Sequence, residues 1–127
     1  MKVLENLLYT KEHEWLKIEG DKAYLGITDY AQSALGSIVF IELPEADTEF
    51  AEGDNFAVIE SVKAASDVYM PVDGKIIEVN EAIVDDPALV NEDAYENWMV
   101  LFEIKDRSQL EGLLKAEDYK VLCSKEE

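Results

Sequence analysis

The chain has 127 residues and 14.3 kDa, enough for one domain with its own core and no metal or disulfide staple. A single cysteine, Cys123, and a single histidine, His13, exclude an internal disulfide framework and a Cys/His zinc set. With 11 basic against 29 acidic residues, the net charge of −18 excludes nucleic acid and anionic membrane surfaces and favours basic partners, while serving equally to keep a small monomer soluble.

The opening Met1 to Leu8 has neither the apolar stretch of a signal peptide nor an Arg-rich transit character, so a cytoplasmic location is expected. Tyr9 to Ile18 reads as a strand, Glu19-Gly20-Asp21 as a turn and Ala23 to Ile27 as the returning strand of a first hairpin. Thr28 is placed to N-cap a short helix with Asp29 in its first turn, Ala31 and Leu35 on one face and Gly36 as its stop. A strongly apolar strand, Ser37 to Leu43, is closed by Pro44, and Glu45 to Asp54 forms an acidic loop.

From Phe56 to Met70 the residues alternate with a period of two on both sides of a break at Ser61 to Ala64. A hairpin would present Lys63 at its tip, on a flexible stem in water. The break lacks an Asn-Gly or Asp-Gly pair, and Val62 is a poor turn residue, so a helix over Glu60 to Ser66 is the alternative. That helix has no apolar stripe, and Val58, Ile59, Val62 and Val68 are β-branched, which favours the hairpin.

Pro71-Val72-Asp73-Gly74 is a turn, with Pro71 fixing φ and Gly74 expected to supply an unusual one, before a strand from Lys75 to Asn80. Asp86 to Asn91 suggests a one-turn helix with proline at its first position, and Trp98 to Ile104 a strand. Ser108-Gln109-Leu110-Glu111 fits a capping box, Ala116 to Cys123 a second helical piece, and the Lys-Glu-Glu end should fray. Together these elements give a mainly β domain with short peripheral helices, a small sandwich or barrel. No nucleophile and base are grouped, so an enzyme is the poorest fit; His13, Trp15, Trp98 and Cys123 read as packing residues, with Glu12 and Glu14 flanking the histidine and favouring its charged form.

Glu60-Ser61-Val62-Lys63-Ala64-Ala65-Ser66-Asp67-Val68-Tyr69, with Pro71-Val72-Asp73-Gly74 and Glu78-Val79-Asn80, resembles the glycine cleavage system H proteins around their lipoylated lysine. The resemblance runs through His13-Glu14-Trp15, Gly26 to Gln32, Leu35-Gly36, Val39 to Glu45, Leu89-Val90-Asn91 and Leu110 to Leu114. It implies a barrel-sandwich hybrid over residues 1–127, with a lipoyl-binding region at about 22–104, a C-terminal helical segment at about 106–123, and the modified lysine on a hairpin tip.

By that resemblance, lipoic acid would be joined to Lys63 in amide linkage by a lipoate ligase or lipoyltransferase; Val62, otherwise unexplained at the tip, and Glu60 are read as helping that enzyme recognise the hairpin. The arm would accept the aminomethyl group of glycine from glycine decarboxylase, deliver it to an aminomethyltransferase and be reoxidised by dihydrolipoyl dehydrogenase, the carrier itself catalysing nothing. Glu14 and Asp67 would hold the docked amine and shield it from hydrolysis. The chain departs from the family pattern at Ser37, Ala94 and Asn97, which leaves room for an H-like paralogue in lipoate relay or another lipoyl-dependent pathway. From a different class, an unmodified acidic interaction domain would explain the charge and leave Lys63 without a role.

Overall fold

The structure is a computed structural model in which residues 1–126 are described. Its strands are β1 (Leu8–Tyr9), β2 (Glu14–Glu19), β3 (Lys22–Ile27), β4 (Ile38–Glu42), β5 (Glu49–Phe50), β6 (Asn55–Ser61), β7 (Ala65–Tyr69), β8 (Gly74–Val79) and β9 (Val100–Ile104). The helices are α1 (Asp29–Leu35), α2 (Glu81–Asp85), α3 (Ala88–Glu92) and α4 (Ala116–Glu126), with a 3₁₀ turn at Arg107–Gly112. All strand pairs are antiparallel and form two sheets, β1-β2-β3-β9-β8-β5 and β4-β6-β7.

Alternation along the strands explains the layering. On β2, Leu16 joins the core between the sheets with Leu25, Ile41, Ile59, Ile76 and Phe102, whereas its neighbour Trp15 faces the other way, into a second cluster with Tyr9, Tyr119 and Cys123. The second cluster is how α4 is held on the domain. Among the described residues no buried side-chain nitrogen or oxygen lacks a hydrogen-bond partner, and no helix is long and apolar enough to cross a membrane.

Several local expectations hold. Thr28 caps α1 by accepting from the Ala31 N–H, Gly36 ends that helix at φ +79°, and the central hairpin forms with its break at residues 62–64. Others are corrected. The first strand is not continuous: at Thr10–His13 the chain turns, with His13 at φ +68°, and β1 folds back so that Tyr9 pairs with Trp15. The acidic loop contributes β5, and α2 forms with Asn80 as its cap.

Pro87 is the residue before α3 and not its first position. Asp106, not Ser108, caps the 3₁₀ turn, accepting from the Ser108 N–H and hydroxyl. Gly74 does not adopt a positive φ; it is needed because a Cβ there would stand 2.4 Å from Cδ2 of the buried Phe102. The helical C-terminus continues to Glu126, while Glu127, the last residue expected to fray, lies outside the described residues.

Candidate functional site: the Lys63 turn and an acid-lined cleft

The turn between β6 and β7 solves its hydrogen bonding without glycine. Ser61 donates its N–H to the Ala64 carbonyl at 2.8 Å, and its hydroxyl oxygen accepts from the N–H groups of Lys63 (3.2 Å) and Ala64 (3.1 Å). This is the side-chain substitute for a backbone turn that serine can offer. Val62 N–H reaches across to the Ser37 carbonyl at 3.0 Å, so the tip is also tied to the start of β4. Lys63 is exposed, and none of the ion pairs among the described residues involves it. The adjacent Val62 is 70% exposed, and Glu60 is exposed on β6.

Nearby, α1 and the strand pair β6–β7 border a cleft of ≈ 200 Å³. Its walls are apolar at Ile27, Ala31, Leu35, Ile59 and Val68, and three acids line it: Glu12, Glu14 and Asp67. The structure thus brings Glu14 and Asp67 to one cavity, although they are far apart in sequence. Asp67 is exposed, whereas Glu14 is buried.

Glu14 Oε2 accepts from the Tyr69 N–H at 2.9 Å, and Oε1 accepts from the Thr10 hydroxyl at 3.1 Å. Burial nevertheless dominates and pushes its carboxyl up to about 7, with the charge of Glu12 adding to the rise and the two hydrogen bonds opposing it. Near neutral pH this is an acid poised between its two forms. Glu14 and Glu12 also line a second hollow of ≈ 440 Å³, bounded by Tyr9, Tyr69 and Leu114, which Asp67 does not reach.

His13 belongs to a structural network. Its ring stacks on Tyr30 with centroids 4.5 Å apart, Nδ1 shares a hydrogen bond with the Tyr119 hydroxyl at 2.8 Å, and Nε2 lies 3.1 Å from a Glu126 carboxylate oxygen. The Tyr119 hydroxyl also meets the Thr28 hydroxyl at 2.6 Å. The acid facing the imidazole is therefore Glu126 from α4, and not Glu14, whose carboxyl is turned to Tyr69 and Thr10. Sequence reasoning had no signal for this pairing, since 113 positions separate the partners. Trp15 and Cys123 are buried, and Trp98 is partly so, as packing residues.

Two of the three departures are absorbed away from the Lys63 turn: the Ala94 carbonyl accepts from Trp15 Nε1 at 3.2 Å, and the Asn97 amide donates to the Leu89 and Asp93 carbonyls at 2.9 Å, closing the end of α3. The third, Ser37, lies against the turn, its carbonyl accepting from the Val62 N–H at 3.0 Å. Among the described residues no group of three His, Cys, Asp or Glu is arranged to hold a metal ion.

Comparison with known proteins places the whole chain in one family. The family described as Glycine cleavage H-protein matches residues 7–126. The glycine cleavage system H protein of Thermoanaerobacter sp. is 64% identical over 126 residues, covering 99% of this chain and 100% of the relative. That of Alkaliphilus oremlandii is 58% identical over 126 residues, covering 99% of each. Among solved structures, a glycine cleavage system H protein from Mycobacterium marinum superposes with a TM-score of 0.81 at 35% identity, over 92% of this chain and 95% of that one. With a family match spanning nearly every residue and relatives this similar over their whole length, the chain belongs to the glycine cleavage H-protein family.

Proposed function

We propose that Lys63 is the attachment point of the lipoyl group and that the acid-lined cleft receives the amine end of its cargo. As a member of this family, the chain is a non-catalytic lipoyl carrier of the glycine cleavage system. The observation that carries the assignment of Lys63 is its place: exposed and unpaired at the tip of a rigidly bonded turn, where an acylating enzyme can reach the amine from outside. When bound, lipoic acid supplies a dithiolane that takes up a one-carbon amine and is later reoxidised.

The chain's own residues bind and protect. Apolar side chains at Ile27, Ala31, Leu35 and Val68 suit a hydrocarbon tether, and carboxylates at one site suit a terminal ammonium. Asp67 supplies an exposed negative charge. Glu14 supplies a buried one, formed when a cation arrives to compensate it. Water is excluded on the Glu14 side, which slows loss of the cargo as ammonia and formaldehyde. Tethering gives each visiting enzyme a high local concentration of cargo. The partners in this reading are glycine decarboxylase, the aminomethyltransferase, dihydrolipoyl dehydrogenase and a lipoate ligase or lipoyltransferase, with Glu60 and Val62 flanking the target for the last; the setting is the cytoplasm.

Intact-mass analysis with peptide mapping, after incubation with lipoate, ATP and a lipoate ligase, tests the attachment. One lipoyl group on the Lys63 peptide is expected, and none on Lys63→Arg; modification of the arginine variant at another lysine would overturn it. For the cleft, Asp67→Asn should shorten the half-life of the loaded carrier about two- to fivefold, the modest effect of an exposed charge. Formaldehyde release reads this directly, and an unchanged half-life removes Asp67 from the dock.

A further inference from the structure

The Leu89-Val90-Asn91 segment has no part in the chemistry above, yet its asparagine makes a dense set of bonds. Asn91 Oδ1 accepts from the Ile38 N–H at 2.9 Å, and Nδ2 donates to the Gly36 carbonyl at 2.8 Å and to Gln32 Oε1 at 2.9 Å. One side chain therefore grips the backbone on both sides of Ser37. The Ser37 carbonyl, held between those grips, is the acceptor for the Val62 N–H beside the lysine.

A second observation joins the same place to Lys63 itself. A Cβ built on Gly36 would stand 3.4 Å from Cε of Lys63 and 4.0 Å from its Nζ, so the lysine stem lies across Gly36. Val90 is buried in the core, and the adjacent Asn91 is only partly exposed, so the grip comes from a fixed helix and not from a loose surface residue.

We propose that Asn91 is a positioning residue for acylation of Lys63, acting through the Gly36–Ile38 backbone that anchors the lysine turn. Acylation needs the amine held in line with an activated acyl group, and a small misplacement of the reacting atom is costly in rate. A backbone seat fixed on both sides gives the turn one position to return to. Without it, Val62 loses a stationary acceptor, while the internal bonds of Ser61 keep the turn's local shape. The lysine would then be correctly folded but wrongly aimed. This rests on Lys63 being the acylated residue.

The test uses the unmodified full-length chain as wild type, Asn91→Ala and Asn91→Ser. Serine keeps one small uncharged polar group that can donate or accept, which makes it the milder change if the alanine variant folds poorly. Amide hydrogen exchange at Val62 is read first, independently of any ligase. Exchange about tenfold faster in Asn91→Ala, beyond any change at the β6 core amides, is expected. Steady-state acylation with lipoate, ATP and a lipoate ligase should then show kcat lowered about tenfold in Asn91→Ala with KM within about twofold, and Asn91→Ser between wild type and Asn91→Ala.

Unchanged kinetics in both folded variants would overturn the proposal. So would a loss of kcat matched by a uniform rise in exchange across β6, which marks a merely structural role. If wild type is not acylated at Lys63 while Val62 exchange still responds to Asn91, the attachment reading fails and the anchoring itself stands.

Discussion

Glu14→Gln is expected to make the protein more stable above neutral pH and worse at keeping its cargo. The carboxyl is at about 7 in the folded protein against an ordinary 4.5, so the folded state binds a proton more tightly than the unfolded one. Its contribution is therefore fully present below pH 4.5 and lost as pH rises through about 7. At pH 8 the buried carboxylate is a burden that glutamine does not carry. Glutamine can accept from the Tyr69 N–H with its oxygen and donate to the Thr10 hydroxyl with its nitrogen.

The variant should gain about 1–3 kcal/mol at pH 8 relative to wild type, with little difference at pH 4, in urea unfolding followed across pH. An equal stability difference at both pH values would contradict the titration of Glu14. The same change removes the only fully buried acid in the cleft. A charge-assisted hydrogen bond to the docked amine is worth about 1.5–3 kcal/mol, reduced by the cost of deprotonating Glu14, so cargo loss should quicken about tenfold at pH 7. Fold stability and cargo lifetime are expected to move in opposite directions, which is the pattern of a functional residue kept at a structural cost.

Gly74→Ala is expected to be the most damaging single methyl group in the chain's sheets. The added carbon would meet Phe102 Cδ2 at 2.4 Å, Phe102 Cε2 at 3.0 Å and the Glu103 carbonyl oxygen at 3.1 Å. Phe102 is fully buried among core residues, and Gly74 pairs with both Phe50 and Ile104, so neither the ring nor the strand has free space to retreat into. Overpacking of this kind costs about 1–3 kcal/mol, which should lower Tm by about 4–15 °C in a scan by circular dichroism. A shift below about 2 °C would mean that β8 slides away from Phe102 at little cost.

Where a local rule decides structure, the residues could be read directly. Thr28 and Gly36 bracket α1 because a hydroxyl cap and a left-handed stop are local chemistry. The β6–β7 hairpin was legible from its period, and the exposed lysine followed from that. What could not be read depends on residues distant in sequence. The burial of Glu14 follows from β7 passing over it, and the acid beside His13 comes from the far end of the chain.

Gly74 is ambiguous in sequence, since glycine signals either a special φ or a crowded Cβ, and only the position of Phe102 distinguishes them. Asn91 could be recognised as part of a family pattern but not as a clamp, because its three partners lie on segments more than fifty positions earlier. The broken first strand had one weak sign, a polar run from Thr10 to Glu14, which alternation alone does not separate from an exposed strand.

The Ser61 turn has one more implication, for how far the carrier can reach. Left-handed backbone occurs among the described residues at His13, Asp47, Gly20, Gly36 and Gly53, and nowhere from Val62 to Ala64. With Lys63 as the proposed attachment point, its α-carbon on the Ser61-bonded turn would be the pivot, and the radius of travel would be set by the lysine methylenes and whatever is joined to them. Visiting enzymes would then meet the arm at one point on the surface, and access is expected to be sequential.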